Sequence, residues 1–377
     1  MKKNKVLWIG FMLLTVLTGC WDEKEIGIYG YATALGIDYE DEKYILYVQM
    51  LDFSNVAKQE ENKVSEDPSL YIGKSSGETI YEAITNLYRT SQEPLHWGQL
   101  GAVIYSETVL EKDIEDFQQA ITRSGEFRYT PWIFGTKDSL EELFAVSGFF
   151  HLPPVYTILY QPEKTYEVYS YIEPLRMYDF ISLFNEPGST VALPSITVDT
   201  NAWRESGTED TSKNTLRING GYQISEKKYK NWMSYKDLTG IRWVQAKTNN
   251  TSVKIMDDND KELGTVEITG PSTNTRQTGT EEEIKFEIKI KAKGHVTDLQ
   301  EELSQDQIEK LVEKQMRKEI IATYQKGLEK NIDVYNFKNI LFRNGMNPEK
   351  VKAVKLSEDS LSKITIDFHL ESKGIFD

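Results

Sequence analysis

Ser75 lies in the part of the sequence that comes nearest to a catalytic motif. Residues 73–77 read Gly-Lys-Ser-Ser-Gly and fit G-x-S-x-G, in which the serine is the nucleophile of many hydrolases. Ser75 and Glu78 also fit S-x-x-E, a pattern in which the serine hydroxyl caps the N-terminus of a helix. The strand expected before this serine, residues 70–72, is short for the central sheet of a hydrolase. We therefore predict that Ser75 is a helix cap, and an exported serine hydrolase is kept as an alternative.

Residues that ligate metals show no recognisable spacing. The acidic run at residues 257–262 looks like a calcium loop, but the glycine and glutamate required at the sixth and twelfth positions are Glu262 and Ile268 here. We interpret this run as a polar hairpin turn. The four histidines are far apart in the chain: His96, His151, His295 and His369. With a single cysteine, a cysteine-rich zinc site is impossible, so the sequence specifies no catalytic residue, metal or cofactor.

Cys20 follows a segment with the features of a bacterial export signal. Lysines at positions 2, 3 and 5 precede an apolar run over residues 6–17, which is shorter than the ~20 residues of a spanning helix. Leu17-Thr18-Gly19-Cys20 matches the lipobox of bacterial lipoproteins, in which the cysteine thiol receives a diacylglycerol and becomes the mature N-terminus. Because each buried methylene contributes ~0.8 kcal/mol, two acyl chains hold such a protein on its membrane. We predict a signal peptide over residues 1–19 and lipidation of Cys20.

Composition limits the classes of function that remain. Hydrophobic residues make up 39% of the 377 residues, which is ordinary for a folded protein, and the length suggests two or three domains. The formal charge of −15 argues against binding nucleic acid and against lying flat on anionic lipid. Once Cys20 is acylated no thiol remains, so we expect the exported chain to have no disulfide bond.

The predicted N-terminal region, residues 20–202, alternates strands with amphipathic helices. Apolar strands over residues 28–37 and 44–51 flank a polar turn, which predicts a hairpin. Apolar residues at helical spacing predict helices over residues 77–91, 106–123 and 138–146. Because further short strands separate these helices, we predict a mixed sheet covered by helices.

A second subdomain is predicted near residues 148–200, where prolines interrupt the pattern. Tyrosines crowd into this part of the chain: Tyr156, Tyr160, Tyr166, Tyr169, Tyr171 and Tyr178. They are expected either to pack a poorly regular subdomain or to form an aromatic contact surface, since tyrosine is enriched at protein interfaces.

The C-terminal domain is predicted over residues 216–377, after a linker at 203–215 that has no aliphatic residue beyond Trp203. Alternating apolar residues predict antiparallel strands, including one over 241–247. Ser304 and Gln307 predict a capping box for a long helix. A second helix is predicted over 333–342, followed by a hairpin of strands over 351–356 and 364–370. The fold class is therefore α+β, with an N-terminal mixed sheet and a C-terminal antiparallel sheet packed with a helical pair.

Several short blocks, in this order along the chain, resemble one protein family. They are Cys20-Trp21-Asp22 with Glu25-Ile26, Ala34-Leu35-Gly36-Ile37-Asp38, Leu193-Pro194-Ser195-Ile196, Gly220-Gly221 and Lys373-Gly374. Together they resemble the Ger(x)C family, the lipoprotein subunits of spore germinant receptors. The block that begins at Cys20 is the most specific, and the resemblance spans nearly the full length.

The resemblance implies a membrane location and a set of partners. Members of this family sit on the outer face of the spore inner membrane and assemble with two multi-spanning subunits into a receptor for nutrients. The family supplies no catalytic residues, so only Cys20 is carried over, as the acylation site. Trp21 and Asp22 are expected to contact a partner or the membrane surface. A solute-binding lipoprotein that delivers a nutrient to a transporter stays as a further alternative, and it predicts two doubly wound parallel lobes.

Overall fold

The computed structural model describes residues 30–51, 70–112, 114–116, 119–120, 127–206, 211–280 and 283–372. These residues form two β-sheets with helices packed against both, so the α+β fold class is confirmed. Among them, no helix combines the length and the apolar character needed to cross a lipid bilayer.

The described part of the larger sheet contains ten strands. They are β1 Gly30–Glu40, β2 Lys43–Leu51, β3 Leu70–Gly77, β4 Leu95–His96, β5 Ala102–Ser106, β6 Trp132–Thr136, β7 Leu175–Arg176, β8 Thr190–Glu205, β9 Thr211–Ser225 and β10 Lys228–Ser234. Their order is β10-β9-β8-β6-β5-β1-β2-β3, with β4 beside β1 and β7 beside β6. The central strands β1, β5, β6 and β8 run parallel, whereas β2–β3 and β9–β10 continue the sheet antiparallel at either side. The sheet is therefore mixed, as predicted.

The predicted hairpin of β1 and β2 is confirmed. Asp41 and Glu42 connect the strands with φ angles of 49° and 60°, a left-handed pair that matches the twist of a tight hairpin. Leu35, Ile37 and Leu46 are fully buried in the strands on either side of this turn. Alternation of apolar residues and the polar turn thus carried enough information to define this pairing.

Five helices accompany the larger sheet in the described residues. They are α1 Ile80–Thr90, α2 Glu107–Lys112, α3 Leu140–Phe144, α4 Pro162–Val168 and α5 Met177–Asn185. One face of the sheet packs with α1, α2 and α5 in a core that includes Tyr105 and Phe180, and the other face packs with α3 in a core that includes Phe134 and Phe144. Both faces are covered, which explains why the central strands are almost continuously apolar.

The smaller sheet has four described strands and carries its own helices. The strands are β11 Asn250–Met256, β12 Glu262–Gln277, β13 Phe286–Leu299 and β14 Leu361–Ser372, and the helices are α6 Gln305–Glu329, α7 Phe337–Arg343 and α8 Pro348–Ala353. The order is β11-β12-β13-β14, with antiparallel pairing up to β13. β14 then lies parallel to β13, because α6 to α8 carry the chain back to the starting end of the sheet.

Helix α6 begins at the predicted capping box. Ser304 Oγ accepts a hydrogen bond from the backbone N of Gln307, and Gln307 Oε1 accepts one from the backbone N of Ser304 at 2.8 Å. Buried residues then recur every four positions along the helix: Ile308, Val312, Met316, Ile320 and Tyr324. This stripe packs on the smaller sheet and forms the centre of the C-terminal core.

The stretch 203–215, predicted as a linker, contains paired strands. Trp203 of β8 is paired with Lys213 of β9, and Glu205 is paired with Thr211. Both sides of the hairpin are solvated here, so residues 201–205 are polar or exposed and give no alternating pattern. The structure places β9 and β10 in the larger sheet, whereas the sequence predicts that residues 216–377 form the C-terminal domain. The division into residues 20–202 and 216–377, and a subdomain near 148–200, remain predictions.

Two further predictions in the C-terminal part are wrong. The final hairpin does not form, because residues 348–353 are helix α8 and β14 pairs with β13 instead. An apolar alternation fits parallel and antiparallel neighbours equally, so it could not indicate which strand β14 joins. The strand predicted over 241–247 is replaced by the 3₁₀ helix Thr239–Trp243, whose residues 240–243 are buried.

Candidate functional site

Cys20, Trp21 and Asp22 lie outside the described residues, so their proposed roles remain predictions. The first described residue, Gly30, begins β1, and its backbone N donates a hydrogen bond to Pro94 O at 3.1 Å. β1 lies between β5 and β2 inside the larger sheet. The described part of the chain therefore begins in a strand of the core.

Ser75 is neither a helix cap nor a nucleophile at a turn. It lies within β3, paired with Leu46 of β2, and its hydroxyl donates to Ala83 O at 2.7 Å. The cap of α1 is Thr79, whose Oγ1 accepts from the backbone N of Glu82 at 3.1 Å. The prediction was wrong because the strand continues to Gly77, and the helix cap is Thr79, four residues beyond the position that S-x-x-E suggested. A nucleophile elbow needs the serine in the strand-to-helix turn, so this geometry does not support hydrolysis.

The acidic run at residues 257–262 forms the turn between β11 and β12, as predicted. Asp257 Oδ1 accepts hydrogen bonds from the backbone N of Asn259 and Lys261, which closes the turn. Asp258 and Asp260 form ion pairs with Lys314 and Lys318 on α6. Within the described ranges, no group of three or more histidine, cysteine or acidic residues could hold a metal ion.

A partly enclosed, mostly apolar cavity is lined by aromatic side chains, and we call it the aromatic pocket. It has a volume of about 380 Å³. Seven aromatic residues line it: Phe134, Phe149, Tyr156, Tyr166, Tyr169, Tyr171 and Tyr235. Pro194 of β8 and residues 216–218 of β9 complete the wall on the side of the larger sheet. Its size falls at the lower end of the ~300–1,000 Å³ that is usual for small-molecule sites.

Helix α4 and the residues after it hold the tyrosines in place. Pro162 occupies the first turn of α4, where its fixed φ and missing N–H suit the start of a helix. Ser170 ends the segment: its Oγ donates to Tyr166 O at 2.7 Å, its N donates to Asn250 O at 2.6 Å, and its Oγ accepts from Asn249 N at 2.9 Å. The pocket wall is thereby attached to the first strand of the smaller sheet.

Behind the pocket, Tyr171 lies between Tyr235 and the guanidinium of Arg242. The ring centroids of Tyr171 and Tyr235 are 3.5 Å apart, and Arg242 Cζ is 5.0 Å from the Tyr171 centroid. Arg242 is buried, and it donates to Glu319 Oε2 at 2.8 Å and to Thr251 Oγ1 at 2.9 Å. This stack connects the pocket to α6, on which Glu319 lies.

Burial and ion pairing set the protonation states of Arg242 and of the tyrosines around it. Burial raises the pKa of Tyr166 to about 12 and raises the pKa values of Tyr171 and Tyr235 as well, so all three phenols are neutral at physiological pH. Burial opposes the charge of Arg242, but its interactions with Glu319 and Tyr171 together outweigh this cost and the pKa of Arg242 is raised. The buried charge of Arg242 is therefore paired with that of Glu319.

The tyrosines of this cluster differ in burial, and an aromatic contact surface remains a prediction. Tyr166 and Tyr171 are buried and pack the core, whereas Tyr169 and Tyr178 are 42% and 52% exposed. The sequence could not reveal Tyr235, Arg242 or Glu319 as neighbours of this cluster. They are supplied by three segments far along the chain, and no spacing rule links them to residues 156–178.

Comparison with known proteins identifies the family. Residues 22–198 match the family model described as "Spore germination protein N-terminal domain". Residues 219–374 match the model described as "Spore germination B3/ GerAC like, C-terminal". The chain belongs to the Ger(x)C family of spore germination proteins. The two matches together account for nearly all of the residues that follow Cys20.

Individual relatives of this Ger(x)C chain cover it to different extents. Spore germination protein KC of Bacillus subtilis (strain 168) is 22% identical over 388 residues, which span 98% of this chain and 95% of the relative. Spore germination protein B3 of the same organism is 25% identical over 146 residues, or 38% of each chain. The crystal structure of the GerBC protein covers 90% of this chain and 97% of its own, with a TM-score of 0.53 and 15% identity, which shows a shared fold. This Ger(x)C protein therefore has a role in spore germination, and none of these relatives is named for a catalytic activity.

Proposed function

We propose that the protein is a lipid-anchored, non-enzymatic subunit of a spore nutrient germinant receptor. Acylated Cys20 attaches it to the outer face of the spore inner membrane, where the folded chain contacts two multi-spanning membrane subunits. Trp21 and Asp22 contact a partner or the lipid–water interface. The observation that carries this proposal is the family match over residues 22–198 and 219–374, which begins two residues after the cysteine of the predicted lipobox.

Among the described residues, the candidate sites that the sequence raised have structural roles, in keeping with a protein that acts through contact with partners. Ser75 donates its hydroxyl to a backbone carbonyl inside a strand, and the acidic run is a turn that pairs with lysines. The described ranges contain no cluster of residues able to bind a metal. Two chemistries that the sequence raised therefore have no geometric support in the structure.

The fold disfavours a solute-binding lipoprotein. Such proteins usually have two doubly wound lobes with parallel sheets, and the ligand binds between the lobes. Here the larger sheet is mixed, and three of the four strands of the smaller sheet are paired antiparallel. The aromatic pocket lies beside β8 and β9 rather than between two parallel lobes.

The role of the anchor is tested by comparing spores with Cys20→Ala and spores with the wild-type chain. We expect the variant protein to leave the membrane fraction, because no acyl chain holds it. We also expect the variant to co-purify with less of the multi-spanning partners, and its spores to germinate less in response to nutrients. Ser75→Ala is the matched control, because it also removes a single small polar side chain but leaves the anchor intact.

The outcomes separate the alternatives. A normal nutrient response with a soluble Cys20→Ala protein that binds no membrane partner would overturn the proposal. Loss of germination in Ser75→Ala, with the protein folded and membrane-bound, would favour the hydrolase instead. Trp21→Ala and Asp22→Ala retain the acylated cysteine, so a loss of partner binding without loss of membrane attachment would identify them as contact residues.

A further inference from the structure

The aromatic pocket has no part in the membrane anchor, and its geometry is that of a ligand site. We propose that it binds a small, uncharged molecule that carries an aromatic ring. The pocket is concave and mostly apolar, as small-molecule sites are. The proposal concerns binding by this chain itself and does not depend on assembly of a receptor.

Aromatic walls favour a ring-bearing ligand. Tyr169 and Tyr171 stack with ring centroids 6.1 Å apart, and Tyr171 stacks on Tyr235, so several aromatic rings lie together at one small space. Aromatic pairs prefer offset-stacked or edge-to-face arrangements at ring distances of ~4.5–7 Å. A bound ring can adopt either arrangement against the neighbouring walls.

The charge distribution favours an uncharged ligand. Arg217 is the only charged residue among the described residues that line the pocket, and its Nε pairs with Asp199 Oδ2 at 2.8 Å. At the rim, Lys213 Nζ donates to Ser147 Oγ at 2.8 Å. A charged ligand would lose its hydration and find no counter-charge in the pocket that is not already engaged, which is costly.

The rear wall of the pocket is organised before a ligand arrives. Tyr171 is held between the Tyr235 ring and Arg242, and Arg242 is fixed by Glu319 and Thr251. Tyr235 is held in turn, because its hydroxyl donates to Tyr169 Oη at 3.3 Å. A wall that is already ordered reduces the entropy lost on binding and so favours affinity for a small molecule.

Binding can be measured by fluorine NMR on the full-length protein in lipid nanodiscs, with empty nanodiscs as the blank. Three probes share one ring and differ in charge: para-fluorobenzyl alcohol, para-fluorobenzylammonium and para-fluorobenzoate. We expect saturable binding of the alcohol. The two charged probes are expected to bind at least about tenfold more weakly, the ratio that corresponds to a modest desolvation penalty.

Two pairs of variants locate the binding. Thr165 lines the pocket from α4 and is exposed, so Thr165→Trp introduces a ring that competes for the space. Lys164→Trp is its control, because Lys164 is an exposed neighbour on the same helix that does not line the pocket.

In the second pair, Tyr169→Ala removes one aromatic wall, and Tyr178→Ala is the control that removes a similarly exposed tyrosine outside the pocket. We expect Tyr169→Ala to weaken binding roughly threefold to tenfold, since one aromatic contact is lost.

Weaker binding in Thr165→Trp or Tyr169→Ala, with both controls unchanged, would support the proposal. It is overturned if the wild-type protein shows no saturable binding of the alcohol, or if both pocket variants bind like the wild type. Equal binding of the charged probes would overturn the assigned ligand class. A control variant that loses as much affinity as its pocket partner would show that the site lies elsewhere.

Discussion

The side-chain amide of Asn336 forms two hydrogen bonds with the backbone of Thr190. Asn336 Oδ1 accepts from Thr190 N at 2.6 Å, and Asn336 Nδ2 donates to Thr190 O at 3.1 Å. Asn336 precedes α7, and Thr190 begins β8, so one amide joins the C-terminal helices to the larger sheet. Nearby, Arg343 forms a bidentate ion pair with Glu186 at the same junction. Arg343 Nε donates to Glu186 Oε1 and Arg343 Nη2 donates to Glu186 Oε2, both at 2.9 Å.

We expect Asn336→Ala to lower the free energy of unfolding by about 2–4 kcal/mol, because two backbone groups of Thr190 lose partners and alanine replaces asparagine at positive φ. Asn331→Ala is the matched control. Asn331 also has a positive φ, 56°, but it is exposed, so this change measures the backbone effect without the junction. Chemical denaturation of both variants checks the difference. Equal losses would show that the two hydrogen bonds contribute little.

The buried pair of Arg242 and Glu319 is expected to be strongly coupled. Glu319→Gln or Arg242→Met alone leaves a buried charge without its partner, which costs about 3–5 kcal/mol of unfolding free energy. The double variant is expected to lose clearly less than the sum, because no isolated charge remains. A double-mutant cycle by urea denaturation measures this coupling, and the exposed pair Lys326–Glu329 provides a comparison in which little coupling is expected. Additive losses for Arg242 and Glu319 would contradict the expectation.

Stability is expected to depend on pH through Asp333. Burial raises the pKa of this carboxyl group from 3.8 to about 6, although the backbone N of Lys338 donates to its Oδ2 at 2.7 Å. Between these two pH values the folded protein therefore binds more protons than the unfolded chain, and stability falls as the pH rises. At neutral pH the shift lowers the free energy of unfolding by roughly 3 kcal/mol, relative to a carboxyl group whose pKa is the same in the folded and unfolded states.

Asp333→Asn removes the titrating group and tests this dependence. We expect the free energy of unfolding of the wild-type protein to decline from about pH 4 to pH 7 relative to the variant. Denaturation at several pH values, with both proteins in the same buffers, gives the two profiles. Parallel profiles would show that Asp333 is not the source of the dependence.

Ser75 and Thr79 are expected to matter for stability and not for chemistry. Ser75→Ala loses one hydrogen bond to Ala83 O, worth about 0.5–1.5 kcal/mol, and Thr79→Ala loses the cap of α1, worth about 0.5–2 kcal/mol. Spores with either change are expected to germinate normally in response to nutrients. Thermal denaturation of the purified variants gives the size of each loss, and a germination defect confined to Ser75→Ala would contradict this prediction.

Local patterns in the sequence correctly predicted those elements whose structure depends on residues close together in the chain. The β1–β2 hairpin follows from two apolar strands around a polar turn, and α6 begins at the capping box of Ser304 and Gln307. The Thr79 cap was missed by four residues, because S-x-x-E indicates a helix start without stating how far the preceding strand extends. The paired strands at 203–205 and 211–215 were missed because solvent on both faces leaves no alternation to detect.

By itself the sequence determined the α+β class and the family resemblance, and it predicts the anchor at Cys20. Each depends on residues that are close together in the chain or on short blocks in a fixed order. Only the tertiary structure decided that β14 lies parallel to β13, and that Tyr171 contacts Tyr235 and Arg242 behind a pocket, with Arg242 paired to Glu319. Those contacts join segments separated by long stretches of chain, and their geometry is set by how the sheets and helices pack rather than by any local spacing of residues.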